Sequence, residues 1–179
     1  MTQITLAVTG SISAYKAADI TNQLTKLGFE VKILMTPAAR KFITPLTLQV
    51  LSKHQVGLDV MIEDDPQRIE HIDIGKETDL FLVAPASANT IAKLAMGLAD
   101  NMVTSTALAL PQTTKKLLAP AMNTKMLEHP ATQRNLKLLQ DYGYQIIQPR
   151  EALLACGDKG SGALASVETI VETVKENCL

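Results

Sequence analysis

The sequence predicts an α/β fold, a three-layer doubly wound parallel sheet with helices on both faces. Two observations predict it. Short β-rich runs alternate with helical patterns along all 179 residues, and the β-rich runs are apolar almost throughout, as expected of parallel strands covered on both faces. No linker, repeat or low-complexity tract divides the chain, so we expect one domain over residues 1–179.

The predicted strands are runs rich in Val, Ile, Leu and Phe that end at Thr-Gly, Thr-Pro or Ala-Pro signals, or follow a glycine. They are Ile4–Val8, Phe29–Met35, Asp79–Val83, Lys116–Ala119 and Tyr144–Ile147. Strands of this kind, separated by helices, are typical of flavodoxin-like and Rossmann-like sheets.

The predicted helices show apolar residues at helical spacing together with cap signals at their ends. They are Ala14–Leu27, a turn from Thr36 towards Phe42, Pro45–Leu51, Ile69–Lys76, a long Ala-rich Ser87–Leu110, Pro130–Tyr142, and Ser166–Glu176 with Ser166 as N-cap. We expect an exposed loop over Val56–Gln67 and, because of its glycines, a mobile loop over Leu153–Ala165.

Composition excludes several classes of function. The net charge of −1 gives no basic footprint for nucleic acid or an anionic membrane. No apolar run is long enough to span a bilayer, and the first residues lack a signal-peptide pattern. Cys156 and Cys178 do not form a disulfide framework, and no Cys/His cluster has metal-binding spacing. We therefore expect a cytoplasmic protein without a metal centre.

Two predicted strands end in nearly the same way. The segments 84–89 and 119–123 both read Ala-Pro-Ala and then reach an asparagine, Asn89 or Asn123. Ligands bind at the carboxyl ends of strands in open α/β sheets, so two amide side chains there indicate a recognition site. In the alternative, Asn89 caps the next helix and Asn123 lies in a turn.

A phosphate site is indicated where the first strand meets the first helix. Gly10-Ser-Ile-Ser13 offers a helix N-terminus and two hydroxyl groups. The segment is neither GxGxxG nor a Walker A loop, and it suits a mononucleotide such as FMN better than a dinucleotide. A serine-rich helix start without a ligand is the alternative. Thr36, at the end of the next strand, would lie on the same edge.

Several motifs together resemble the homo-oligomeric flavin-containing cysteine decarboxylases. The resemblance runs from Ile4 to about Ala165. Its motifs are Gly10-Ser-Ile-Ser-Ala-Tyr-Lys16, His71-Ile, Pro85-Ala-Ser-Ala-Asn-Thr90, Gly97-Leu-Ala-Asp-Asn101, Pro120-Ala-Met-Asn-Thr-Lys-Met126 and Ala155-Cys-Gly-Asp-Lys-Gly-Ser-Gly162.

The resemblance implies a role for each of these segments. It implies that FMN contacts Gly10, Ser11, Ile12, Thr36, Ser87, Asn89, Thr90 and Ala121. The implied substrate contacts are Asn123, Met122, Asn89 and Ala155, with Asn123 on the substrate carboxylate. His71 matches the active-site histidine of the family, and Cys156 matches the cysteine of a loop that closes over substrate.

The implied reaction is the oxidative decarboxylation of 4′-phosphopantothenoyl-L-cysteine to 4′-phosphopantetheine and CO₂ in coenzyme A biosynthesis. Flavin oxidises the thiol end and so creates the electron sink that lets CO₂ leave. Cys156, a thiol that is mostly protonated at pH 7, is then the natural proton donor. Related peptide-cysteine decarboxylases that stop at the enethiol lack this cysteine motif. The resemblance also implies a trimer or dodecamer with FMN between subunits.

The chain departs from the family pattern at two positions. Leu127 stands where the family has a tryptophan, and Ala163 where many members have an arginine. Many bacterial members continue into a ligase domain; since the sequence ends at Leu179, we expect that step to come from elsewhere.

Two other classes of function remain open. A flavin prenyltransferase shares this architecture but would not need Cys156 or the Asn123 motif. Non-catalytic FMN-binding regulators of phosphatases tend to carry long acidic extensions, whereas this chain has only the acidic run 63–65.

Overall fold

The computed structural model of the chain describes residues 2–63, 65–153, 155, 157 and 159–178. In this part of the chain, six parallel strands form one sheet in the order β3-β2-β1-β4-β5-β6. These strands are β1 (Gln3–Val8), β2 (Glu30–Met35), β3 (Val56–Gly57), β4 (Leu80–Ala86), β5 (Lys115–Pro120) and β6 (Tyr144–Ile146). The predicted fold class is confirmed, and the strand order is that of a doubly wound sheet.

Helices cover both faces of this sheet. They are α1 (Ala17–Lys26), α2 (Pro45–Ser52), α3 (Glu70–Glu77), α4 (Ala88–Met96), α5 (Met102–Ala109), α6 (Thr124–Glu128), α7 (Pro130–Asp141) and α8 (Val167–Cys178). Alternate residues of β1 show the two layers: Leu6 and Val8 belong to the core under α1 and α8, and Ala7 to the core under α4, α5 and α7. None of the described helices is long and apolar enough to cross a membrane.

The helical region predicted over Ser87–Leu110 contains two helices, and the break between them was not predicted. The first, α4, ends at Gly97, whose φ of +68° is a left-handed conformation that favours glycine. Asn101 then starts α5 with a capping box: its Oδ1 accepts from the Thr104 N–H (3.2 Å), and the Thr104 hydroxyl oxygen accepts from the Asn101 N–H (3.3 Å).

The predicted loop over Leu153–Ala165 is wrong for residues 159–163, which form a strand. Strands β7 (Arg150–Leu153) and β8 (Lys159–Ala163) pair antiparallel there and form a second, two-stranded sheet. Gly160 and Gly162 serve close packing: a Cβ atom on Gly160 would lie 2.6 Å from Thr124 Oγ1, and one on Gly162 would lie 2.2 Å from the Met122 carbonyl oxygen. Cys156, which we expected in this loop, lies outside the described residues.

Two short elements were not predicted from the sequence. Val56–Gly57 pairs with β2 as a short edge strand inside the predicted loop, and Thr124–Glu128 forms a short helix directly after the Asn123 turn. Within the first predicted helix, a 3₁₀ turn over Ile12–Lys16 precedes the α-helix. The prolines of the two Ala-Pro-Ala segments lie inside the last residues of β4 and β5 instead of just beyond the strands.

The break between α4 and α5 gives a stability prediction. Replacing Asn101 by Ala removes the cap and should lower the free energy of unfolding by about 1 kcal/mol, whereas Asn101→Ser keeps an accepting side-chain oxygen and should lose much less. Denaturant unfolding followed by circular dichroism measures both variants. An alanine variant as stable as the wild type would show that the cap does not stabilise this helix start.

Candidate active site at the carboxyl edge of the sheet

A buried hydroxyl joins the ends of the two central strands. Thr9, directly after β1, donates its Oγ1 hydrogen to the carbonyl of Pro85 (2.6 Å). The same oxygen accepts from the backbone N–H of Ser87 (2.9 Å), and the Thr9 side chain is fully buried. The strand order reverses between β1 and β4, so Thr9 fixes the crevice where ligands bind in doubly wound sheets.

Two helix starts flank this crevice. Ser11 caps the 3₁₀ turn through Oγ, which accepts from the Ser13 N–H (3.3 Å). Ser87 caps α4 in the same way by accepting from the Thr90 N–H (3.3 Å). The start of α4 carries partial positive charge, and the two hydroxyl groups stand beside it. Asn89 is therefore not the cap of α4; it lies exposed in the first turn.

The loop after β2 approaches the loop after β1 at backbone distance. A Cβ atom on Gly10 would lie 2.5 Å from Ala38 Cβ, so this contact requires glycine. Thr36 is buried, and its hydroxyl oxygen accepts from the Ala39 N–H (3.2 Å). Gly10, Ser11, Ile12 and Thr36 therefore share one edge with Ser87, Asn89 and Thr90.

The end of β5 supplies the next part of the same edge. The Ala121 N–H donates to the carbonyl of Ala86 (3.1 Å), which places the Asn123 turn beside the end of β4. Asn123 is the N-cap of α6, because its Oδ1 accepts from the Lys125 N–H (2.9 Å). Asn123 therefore has a structural role, as in the alternative stated above, although it caps a helix there. It also lies near the end of β5.

Strand β8 lies against this turn on both sides of Asn123. The Met122 N–H donates to the carbonyl of Gly162 (2.9 Å), and the Thr124 hydroxyl donates to the carbonyl of Ser161 (2.6 Å). The second strand of the hairpin therefore rests on the strand-end residues. Ala155 is exposed and follows β7 in the chain, and Cys156 is outside the described residues.

His71 comes from an element other than the strand ends. It lies in the first turn of α3, seven residues before Thr78, whose hydroxyl meets Thr5 Oγ1 (2.7 Å). Its Nδ1 is buried, with no hydrogen-bond partner among the described residues.

Helix α3 is tethered at both ends by charged side chains. The Glu63 carboxylate accepts from the Glu70 N–H (2.9 Å) at the start of the helix. Near its end, Lys32 Nζ and Glu77 Oε2 lie 2.5 Å apart, and the hydrogen bond from Lys32 lowers the pKa of Glu77. Both tethers hold the backbone that carries His71.

The two departures from the family pattern have different surroundings. Leu127 is buried in the core under α4, α5 and α7, so it fills space there. Ala163 pairs across the hairpin with Arg150, whose Nε donates to the carbonyl of Leu164 (3.1 Å).

The donor set at this edge fits FMN. The hydroxyl groups of Ser11 and Ser87, together with the start of α4, suit a phosphate dianion. The small residues Ala86, Ala88 and Ala121 allow a flat ring to approach the backbone. Among the described residues, no group of three or more His, Cys, Asp and Glu side chains is arranged to hold a metal ion.

Sequence reasoning missed the residues that hold the edge together. The position of Thr9 could have indicated its role, because it is a polar residue that ends an apolar strand just before Gly10. No pattern in the sequence indicated that Thr124 and Met122 would bond to β8, because that contact joins segments 37 or more residues apart.

A family profile and similar sequences indicate the same family for this chain. The flavoprotein family profile matches residues 1–179. A "probable phosphopantothenoylcysteine decarboxylase" of Streptococcus mutans is 63% identical over 174 residues, which are 97% of each chain. The coenzyme A biosynthesis bifunctional protein CoaBC of Bacillus subtilis is 45% identical over 97% of this chain, which spans only 42% of that longer protein.

Solved structures agree with these relatives. A PPC decarboxylase mutant, in which serine replaces a cysteine, complexed with pantothenoylaminoethenethiol superposes with a TM-score of 0.90 at 32% identity, covering 98% of this chain and 97% of that one. The FMN-dependent cysteine decarboxylase SpaF gives a TM-score of 0.85 at 28% identity, covering 100% and 98%. On the profile match and these similarities, the chain belongs to the flavoprotein family.

Proposed function

We propose that this protein is an FMN-dependent decarboxylase that converts 4′-phosphopantothenoyl-L-cysteine to 4′-phosphopantetheine and CO₂ in coenzyme A biosynthesis. One observation carries the proposal. Through Thr9 and the Ala121–Ala86 bond, the structure joins the hydroxyl-rich helix starts to the Asn123 turn along a single edge. The proposed flavin site and the proposed carboxylate site would therefore be neighbours. We place the enzyme in the cytoplasm, with residues 1–179 as one catalytic domain.

The cofactor site is assigned to the β1, β2, β4 and β5 ends. Gly10, Ser11 and Ile12, with Ser87, Asn89 and Thr90, would hold the phosphate side of FMN. Thr36 and Ala121 would lie beside the rest of the cofactor. When bound, FMN supplies a two-electron acceptor that takes a hydride from the carbon next to sulfur and gives it back later.

The Asn123 amide would bind the substrate carboxylate. Its Oδ1 accepts the hydrogen bond from the Lys125 N–H. This bond assigns the oxygen of the amide to the side that faces α6. The Nδ2 end is the donor that a carboxylate needs. Met122 and Ala155 would contribute further substrate contacts from the same turn and from the hairpin. An uncharged donor would bind the carboxylate more weakly than a cation would. The negative charge is then less stabilised, which favours its loss as neutral CO₂.

His71 and Cys156 would handle the protons. A histidine can accept the proton released at the start of the oxidation, and the buried Nδ1 of His71 is a polar atom with no partner among the described residues. Cys156 would donate a proton to carbon after CO₂ leaves, which completes 4′-phosphopantetheine. The thiolate would then be reprotonated from solvent.

We further propose that the protein is a homo-oligomer, a trimer or a dodecamer, because the flavin-containing cysteine decarboxylases that it resembles are homo-oligomeric. The partners in the proposal are thus further copies of this chain and the small substrate, with no nucleic acid and no membrane.

The Thr9 bridge gives the first functional prediction. Thr9→Val leaves the Pro85 carbonyl and the Ser87 N–H without their partner, so the free energy of unfolding should fall by about 1–3 kcal/mol. The Kd for FMN should rise at least about fivefold, while Thr9→Ser keeps both bonds. Denaturant unfolding of the flavin-free protein and titration by flavin fluorescence measure the two effects. If Thr9→Val were less stable but bound FMN as tightly as the wild type, the Thr9 hydrogen bonds would not position the cofactor site.

The reaction itself is tested with purified yellow protein and 4′-phosphopantothenoyl-L-cysteine, with products followed by mass. The wild type should release CO₂ and 4′-phosphopantetheine in equal amounts. Cys156→Ser should release CO₂ but stall at a product lighter by two hydrogens. Normal turnover by this variant would remove Cys156 from the proton-donor role. Protein that takes up no flavin would contradict the proposed function, and a prenylated flavin product would favour the prenyltransferase.

His71→Asn should lower CO₂ release by at least about a hundredfold, because the oxidation loses its proton acceptor. The matched control is His129→Asn, since His129 caps α7 through Nδ1 (3.1 Å from the Ala131 nitrogen) and asparagine is itself a good cap. The control should retain activity. If His71→Asn released CO₂ and accumulated the stalled product, His71 would not act in the oxidation.

A further inference from the structure

We propose that Thr124 is a positioning residue that couples the grip on the substrate carboxylate to completion of the product. The inference rests on the proposed function for the roles of Asn123 and Cys156. Thr124 would act through β8: its hydroxyl holds this strand on the Asn123 turn, and Cys156 falls between β7 and β8 in the chain.

The contact between β8 and the turn brackets Asn123. Met122 donates from one side of Asn123 to Gly162, and Thr124 donates from the other side to Ser161. Asn123 itself caps α6, which begins at Thr124. A shift of β8 would therefore move Met122 and Thr124, the two neighbours of the Asn123 amide that would bind the carboxylate.

The sequence of β8 is adapted to this contact. A Cβ atom on Gly162 would lie 2.2 Å from the Met122 carbonyl oxygen, and the φ of Gly162 is +133°. A Cβ atom on Gly160 would lie 2.6 Å from Thr124 Oγ1. Both positions need glycine because the strand passes the turn at backbone distance, so the contact is a built feature of the fold.

Among the described residues, the hairpin is held at its root and at the Asn123 turn. Leu164 and Ala165, directly after β8, are buried in the core and form that root. On the other strand, Arg150, Glu151 and Leu153 are exposed. A two-stranded hairpin is marginally stable alone, so the bonds to the Asn123 turn contribute to its placement.

The two halves of the reaction depend on this placement differently. Oxidation and loss of CO₂ do not use Cys156, whereas the final step needs its thiol within hydrogen-bond reach of a substrate carbon. That step would form one C–H bond with the thiol proton and a second with the hydride that the bound cofactor had taken up. Where it fails, the enethiol would leave with two hydrogens fewer, and dissolved oxygen would take up the two electrons left behind.

The test compares Thr124→Val, which keeps the shape and removes the hydroxyl, with Thr124→Ser, which keeps the hydroxyl. Thr173→Val is the matched control, since the Thr173 hydroxyl donates to the Thr169 carbonyl within α8 (2.8 Å). Each flavin-loaded variant is given 4′-phosphopantothenoyl-L-cysteine in air. The ratio of stalled product to 4′-phosphopantetheine and the rate of CO₂ release are measured. Hydrogen–deuterium exchange of peptides covering β8 is measured separately.

Thr124→Val should raise the stalled share at least about fivefold, as expected for loss of one hydrogen bond, and should lower CO₂ release by less than about threefold. Exchange in β8 should become faster. Thr124→Ser and Thr173→Val should resemble the wild type. Gly160→Ala, which crowds Thr124 from the other side of the contact, should reproduce the valine variant.

An unchanged product ratio in Thr124→Val, or equal losses in CO₂ release and in completion, would overturn the inference. Absence of CO₂ release from the wild type would instead contradict the proposed function. In that case the exchange measurement still decides whether Thr124 holds β8, and unchanged exchange in the valine variant would overturn that as well.

Discussion

The hydroxyl of Thr9 is the contact on which the whole candidate site depends. It donates to Pro85 and accepts from Ser87, so one buried oxygen fixes the ends of β1 and β4 at the point where the strand order reverses. The 3₁₀ turn and α4 begin directly after these strand ends, so the Thr9 hydrogen bonds also position their first residues. The Ala121–Ala86 bond then extends the same edge to the Asn123 turn. These hydrogen bonds place the helix starts proposed to bind phosphate and the turn proposed to bind a carboxylate on one edge.

The chemistry divides between this rigid edge and two elements outside it. The strand ends offer hydroxyl groups, amides and small residues, which bind and orient but do not move protons. In the proposed mechanism, the groups that move protons come from α3, which Glu63 and Lys32 hold, and from the segment between β7 and β8. The bond from Thr124 to β8 then links the proposed carboxylate site to the second of these segments.

Most of the sheet was predictable from the sequence, because buried parallel strands and capped helices leave strong local patterns. The helix starts at the crevice were predictable in position, but Ser87 caps α4 and not Asn89, the alternative that the sequence offered. The α4–α5 break was missed because alanine-rich sequence on both sides outweighed the signals at Gly97 and Asn101. The hairpin was missed because Gly160 and Gly162 are typical of loops, and only the distant Met122 and Thr124 explain them. Contacts between segments far apart in the chain leave no local pattern, so the bridge and the hairpin contact needed the structure.

In the proposed function, the carboxyl edge holds a flavin that the decarboxylation requires but does not consume. CO₂ release from 4′-phosphopantothenoyl-L-cysteine without oxygen tests this, with flavin-depleted protein measured before and after FMN is restored. We expect no release before FMN is added and many turnovers afterwards, because the electrons taken from the substrate return to the product. Equal release without flavin, or turnover that stops once the flavin is reduced, would contradict the proposed function.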